Sequence, residues 1–168
     1  MKLAPAMAVA CSMALLLSHV ASAACAIDDP AAAAQSFYTK HADFSTQDPT
    51  PIKELLTPRL FAALAMEYKC AQGEICAIEA DPWTDAQDGS IGKPVAFATT
   101  SNAGGKAAVS MTYTFVLDKS HRKPKHATLL LQRTSASECW QLDDLKGPLG
   151  VSLVQMIEKW HKQYGSAK

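Results

Sequence analysis

The first thing this chain lacks is a charge bias. Its 16 Lys and Arg residues are matched by 16 Asp and Glu, giving a formal net charge of +0. Bulk nucleic-acid binding usually needs a strongly basic domain, so no nucleic-acid partner is expected. Motifs that announce chemistry are missing too. There is no glycine-rich phosphate loop, no Gly-x-Ser-x-Gly elbow and no zinc-protease motif. Cysteine is scarce, with 5 in all, and none has the paired two-residue spacing of a structural zinc site. His41, His121, His126 and His161 are scattered. Neither a metal nor a cofactor is therefore expected. Beyond residue 23 no segment is long and apolar enough to span a membrane, which takes about 20 residues. That part of the chain also holds no internal repeat and no low-complexity tract.

What is present begins at the start. Lys2 supplies a positive charge, and Leu3 to Val20 is mostly Ala, Leu, Met and Val with no acidic residue. Ala21-Ser22-Ala23 then places small residues where a signal peptidase reads. This is the pattern of a secretory signal peptide, with cleavage expected after Ala23. A transmembrane helix fits less well, because the stretch is short and interrupted by Pro5, Ser12, Ser18 and His19. A lipid anchor at Cys25 is the minor alternative. Lipoprotein signals normally carry Leu or another branched apolar residue three positions before the Cys, and Ser22 stands there. The expected organisation is a signal peptide over 1–23 and one domain over 24–168, working in the periplasm. Cleavage shortens the chain from 168 to 145 residues, enough for a single domain with a core.

Export gives the cysteine count a meaning. Cys25, Cys70, Cys76 and Cys139 remain after cleavage, and an even number in an oxidising compartment predicts two disulfides. Four cysteines allow three pairings. Cys70 and Cys76 enclose a short loop containing Gly73, so a local bridge closes easily, and Cys25 would then pair with Cys139. A catalytic thiol is not expected where every cysteine can pair.

Local patterns set the fold class. Asp29-Pro30 is a helix start, with a capping side chain and a proline suited to the first turn. The helix runs to about Ala42, with Ala33, Ala34, Phe37, Tyr38 and His41 on one face. Ser45 to Pro49 is a turn-rich connector. Pro51–Leu56 reads as a short helix. Thr57-Pro58 begins another, reaching about Tyr68 with Leu60, Leu64 and Tyr68 on its packing stripe. From Cys70 to Pro94 the periodicity lapses, and loops of that length are often functional. Alternation then predicts strands over Val95–Thr99, Val109–Leu117, His126–Thr134 and Glu138–Lys146. Turns are expected at Asn102–Gly105, Asp118–Lys125 and Thr134–Ser137. A last helix starts at Ser152, which has capping-box spacing to Gln155. Helices, then a meander of strands, then a helix define an α+β domain. The N-terminal helices are expected to pack on a curved four-stranded antiparallel sheet, forming a cone with a pocket at its open end.

The segment Asp81-Pro82-Trp83-Thr84-Asp85-Ala86-Gln87-Asp88 resembles the signature of a family of uncharacterised bacterial envelope proteins, which has an aromatic after Asp-Pro and a Gln-Asp pair a few residues on. Phe37-Tyr38, Leu56-Thr57-Pro58-Arg59-Leu60 and Trp140-Gln141-Leu142-Asp143-Asp144-Leu145 are similar to that family too. The resemblance implies a fold like the nuclear transport factor 2-like cone and an exported or lipidated protein. It implies no reaction.

The candidate binding residues are Asp81, Trp83, Asp85, Gln87, Asp88, Tyr38 and His41. The acidic group Glu79, Asp81, Asp85 and Asp88 has two functional readings, as ligands for a hard cation or as an acid–base pair. Against them, Asp before Pro82 or Gly89 is what turns use, because the side chain bonds nearby backbone amides. The spacing is not that of a calcium-binding helix–loop–helix. Trp83 either lines a pocket or plugs the core. Tyr38, His41, Tyr113 and Asp143 or Asp144 are candidates to face a cone cavity. Lys119, Arg122, Lys123 and Lys125, with His121 and His126, form a basic hairpin tip, a solvated face or a contact for an anionic partner. The leading expectation is a non-enzymatic periplasmic protein that binds a protein or small ligand through the open end and the Cys70–Gly92 loop. An immunity-type inhibitor of a secreted toxin is one version. The alternative is a cone-fold hydrolase or isomerase using an Asp or His general base.

Overall fold

The computed structural model describes residues 27–72, 75–135 and 138–165. The expected signal peptide, Cys25, Gly73 and part of the Thr134–Ser137 turn lie outside the described residues. Within them the expected α+β class is observed. Helix α1 spans Pro30–His41, a 3₁₀ helix spans Thr50–Leu55 and α2 spans Pro58–Cys70. Strands β1 (Ser90–Ala103), β2 (Lys106–Val116), β3 (Arg122–Gln132) and β4 (Gln141–Lys146) follow, then α3 (Leu153–Tyr164). The strands form one open antiparallel meander in the order β1-β2-β3-β4.

The helix starts are held as the sequence dictates. The Asp29 carboxylate accepts from Ala32 N at 2.8 Å, and Ser152 Oγ accepts from Gln155 N at 3.1 Å. Thr57 caps α2 and also donates to Asp143 at 3.0 Å, fixing that helix to β4. Asp144 is equally committed, accepting from Leu145 N and Val154 N. Neither acid is left to serve a cavity.

One face of the sheet is covered and the other is not. Val109, Met111 and Tyr113 of β2 and Ala127, Leu129 and Leu131 of β3 are buried, while the intervening residues are at least partly exposed. Helix α1 packs over β1 to β3, and α2 and α3 pack on each other and on β4. Phe37, Phe44, Leu60, Leu64, Trp83 and Ile157 fill the space between.

Strands β1, β2 and β3 start before their expected bounds, whereas β3 already ends at Gln132 and β4, expected from Glu138, starts only at Gln141. β1 extends from Ser90 to Ala103, because Gly104 and Gly105 alone make the turn, with φ of 58° and 73°. Two positive φ values match the twist of a two-residue hairpin. β3 begins at Arg122, inside the expected polar turn. Lys125 hides that strand by its charge. Its ammonium lies over the Phe115 ring, 4.1 Å from the centroid, and donates to Thr84 O at 2.8 Å, so a basic residue sits on the packed face. Leu117, expected to continue the apolar alternation, lies past the end of β2 and is 53% exposed. Tyr68, expected on the packing stripe of α2, is 37% exposed.

The two rims of the open sheet are treated differently. The rim at β4 is covered by chain, with Thr57 N donating to Leu142 O and bridges from Leu56 to Leu142 and from Lys146 to Ser152. β1 carries Lys93 and Pro94 and two irregularities in its pairing, between Gly92 and Ala96 and between Thr99 and Ser101. Each interrupts the straight ladder that another strand would copy.

The β2–β3 connection makes a pH prediction. Asp118 accepts from the His121 ring, the Ser120 hydroxyl and both residues' backbone amides. These bonds, the His121 ring first, bring its carboxyl down to about 2. A depressed carboxyl supports the turn fully above its unfolded value of about 3.9, and the support is lost as pH falls through the folded value. The NMR signals of the Ser120 and His121 amides should therefore shift with a midpoint near 2. A midpoint near the unfolded value would show that the bonds do not persist in solution.

Candidate functional site

The distinctive Asp81–Asp88 segment folds into a tightly fastened loop. Asp81 N donates to Ala86 O, and Asp81 O accepts from Thr84 N and Asp85 N. The Asp81 carboxylate accepts from Trp83 N at 2.9 Å and Thr84 Oγ1 at 3.2 Å. Proline after Asp81 and the capping carboxylate together favour this turn. Asp85 has φ of 50°, a left-handed conformation that Asp tolerates better than most residues. Its carboxylate accepts from Leu149 N at 2.7 Å and lies against Gly147, where a Cβ would stand 2.5 Å from it. That glycine lets the loop dock on the β4–α3 connection.

Trp83 is buried, with 2% exposure. Its indole N–H donates to Ala42 O at 2.6 Å, and its ring meets Tyr38 and Phe44 edge-on at 5.0 and 5.7 Å. The Tyr113 hydroxyl donates to Trp83 O. Burial, with the nearby Asp81 and Asp85 charges, raises the Tyr113 phenol, so it stays a neutral donor. Tyr38 is raised in the same way, by burial first and then by Asp81.

Beside Trp83 lies a cleft of about 690 Å³, within the range of small-ligand sites. The end of α1 and the following connector form one wall, contributing Tyr38, Asp43 and Thr46; residues 78–91 form the other, contributing Glu79, Asp81 and Gln87. Ile78, Pro82 and Ile91 add apolar surface. The side chains of Asp43, Glu79 and Gln87 make no hydrogen bond or ion pair with another described residue.

The sequence candidates thus divide. Tyr38, Asp81, Trp83 and Gln87 share the cleft. Asp85 borders a smaller cavity toward Gly147 and Met156. Asp88 is exposed and lines neither. His41 lines a separate cavity of about 320 Å³ with Phe37 and Trp140, and its ring packs on Phe37 at 5.5 Å. Asp85, Asp88 and His41 therefore do not converge. Among the described residues, no group of three or more His, Cys, Asp or Glu is disposed to hold a metal ion.

Cys70 and Cys76 form a disulfide with a Cα separation of 6.2 Å. Cys139 is also disulfide-bonded, while Cys25 lies outside the described residues. Sequence reasoning passed over Glu67, which stands one turn before the Cys70 bridge and is 3% exposed. Its carboxylate accepts from Ile78 N at 2.8 Å and meets His161 Nε2 of α3 at 3.0 Å. The signal was available: Leu60, Ala63, Leu64 and Glu67 occupy one helical stripe. Glu67 and the disulfide together fix the chain entering the cleft wall at Ile78. Asp43 was passed over as well, because nothing in a turn-rich connector marks an acid as facing a cavity.

No known protein family, curated protein or solved structure matches the chain. No helix among the described residues is long and apolar enough to cross a membrane.

Proposed function

We propose that this chain is an exported, non-enzymatic binding protein that takes a protein partner or a small ligand into the cleft beside Trp83. One observation carries the reading. The loop spends Asp81 and Asp85 on backbone amides, yet leaves Glu79 and Gln87, with Asp43 opposite, as uncommitted polar groups around a half-apolar cleft. Fold-supporting residues thus hold the wall and others face the opening, which suits recognition. Export is supported by the signal pattern over residues 1–23 and by the Cys70–Cys76 bridge, since disulfides persist in oxidising compartments. Membership of the nuclear transport factor 2-like envelope family belongs to the same proposal, supported by the Asp-Pro-Trp…Gln-Asp segment and the order of elements. Inhibition of a secreted toxin is one form such binding takes. A general-base enzyme is less well supported, because the Asp and His candidates are dispersed or already bonded.

The test is retention from an envelope extract by the immobilised protein lacking residues 1–23, set beside a Glu79→Arg/Gln87→Arg variant. Both positions are exposed, so the fold should survive. A species held by the wild type and lost by the variant is expected. Equal retention by both would remove the cleft from the account.

A further inference from the structure

The cleft's charge is one-sided. Its lining includes the carboxylates of Asp43, Glu79 and Asp81 and no Lys, Arg or His. Between Lys69 and Lys93 the chain carries no basic residue at all, so no long cationic side chain of that segment can reach in to neutralise them. Among the described residues, the Asp81 carboxylate accepts only from a backbone amide and a hydroxyl, neither of which carries a charge. The carboxylates of Asp43 and Glu79 make no hydrogen bond or ion pair with another described residue. The three acids come from both walls, so the field they share lies across the opening.

These groups do not gather tightly enough for a metal. No cluster of three acidic, histidine or cysteine ligands is found among the described residues. A bare ion would also leave the apolar part of the lining, Ile78, Pro82 and Ile91, without a role. A larger cation uses both. Its apolar stem lies on those residues and on the exposed part of the Tyr38 ring, whose face attracts positive charge, and its charged end reaches the carboxylates, with the Gln87 amide oxygen as a further acceptor.

We infer that the cleft selects an organic cation, an ammonium or guanidinium group on an apolar stem. This rests on the cleft being the binding site. The same chemistry occurs in a free polyamine and in the Lys or Arg side chains of a basic peptide, and the test separates the two.

The experiment titrates the protein lacking residues 1–23 with spermidine, a lysine-rich peptide, a glutamate-rich peptide and an uncharged Gly/Ser peptide. Calorimetry gives the affinity, and the NMR signals of Tyr38 and Gln87 give the location. A cationic probe should bind, move both signals and weaken with added salt. Asp43→Asn and Glu79→Gln should each lower the affinity about two- to fivefold, as expected for exposed charge pairs. Tighter binding of the peptide identifies a protein segment as the occupant; tighter binding of spermidine identifies a free amine. If the neutral or acidic peptide moves the Tyr38 and Gln87 signals and the cations do not, the charge inference is overturned while the cleft stands. If cations bind without moving those signals, or do not bind, the inference is overturned, and the Glu79→Arg/Gln87→Arg comparison then decides separately whether the cleft is a site.

Discussion

Trp83→Ala is expected to remove about 4 kcal/mol of folding stability, the usual scale for truncating a buried Trp. Three losses combine. The ring leaves a void between Tyr38 and Phe44, the Ala42 carbonyl loses its indole donor, and the loop that Trp83 anchors loses its grip on the core. Domains of this size have only about 5–15 kcal/mol in total, so the variant should lie near its folding threshold. Trp83→Phe separates the terms. It keeps most of the packing and leaves the Ala42 carbonyl unpaired, so about 1–2 kcal/mol is expected. Urea denaturation followed by far-UV circular dichroism measures both. A loss under about 1 kcal/mol for Trp83→Ala would mean that the residue does not plug the core.

Glu67→Ala is expected to cost about 3 kcal/mol, the scale for removing one partner of a buried pair. The Ile78 amide and the His161 ring would both lose their acceptor. Because the Ile78 amide belongs to the cleft wall, hydrogen exchange there should quicken more than in β2. Glu67→Gln retains an oxygen for Ile78 and should cost roughly half as much. The same denaturation series checks the pair. If Glu67→Ala matches wild type, the carboxylate is not tying α2, α3 and the loop together.

Much of the architecture was legible because it follows from short-range rules. Asp29-Pro30, Thr57-Pro58 and Ser152 marked the starts of α1, α2 and α3 through caps that need no tertiary context. Val109, Met111 and Tyr113 marked β2 through strict alternation. Strand ends were less visible. The start of β3 is masked by Arg122, Lys123 and Lys125, and the end of β1 by Ser101 and Asn102, which read as turn residues although Gly104 and Gly105 turn the chain. In each case pairing with β2 overrides local preference.

The candidate site was legible only in part. Asp81, Trp83 and Gln87 were found because they share one short segment, and Tyr38 because it stands on the apolar face of α1. The grouping failed for His41. It shares that helical face in sequence but sits almost one turn from Tyr38, on the side facing Trp140 rather than Trp83. Asp43, Glu67 and His161 depend on which elements meet in space. No spacing rule within one segment encodes a carboxylate on α2 that answers both Ile78 and a histidine 94 residues away.

The unequal treatment of the sheet's two rims has a consequence for behaviour at high concentration. A meander left open at both sides is a template on which further chains can polymerise. Here one side is already occupied by the molecule's own backbone, and the other offers a ladder broken twice and lacking the amide proton of Pro94. Stacking copies rim to rim would leave unmatched backbone groups at each break. Both rims are therefore poor templates for a further strand, although the sheet is not closed into a barrel.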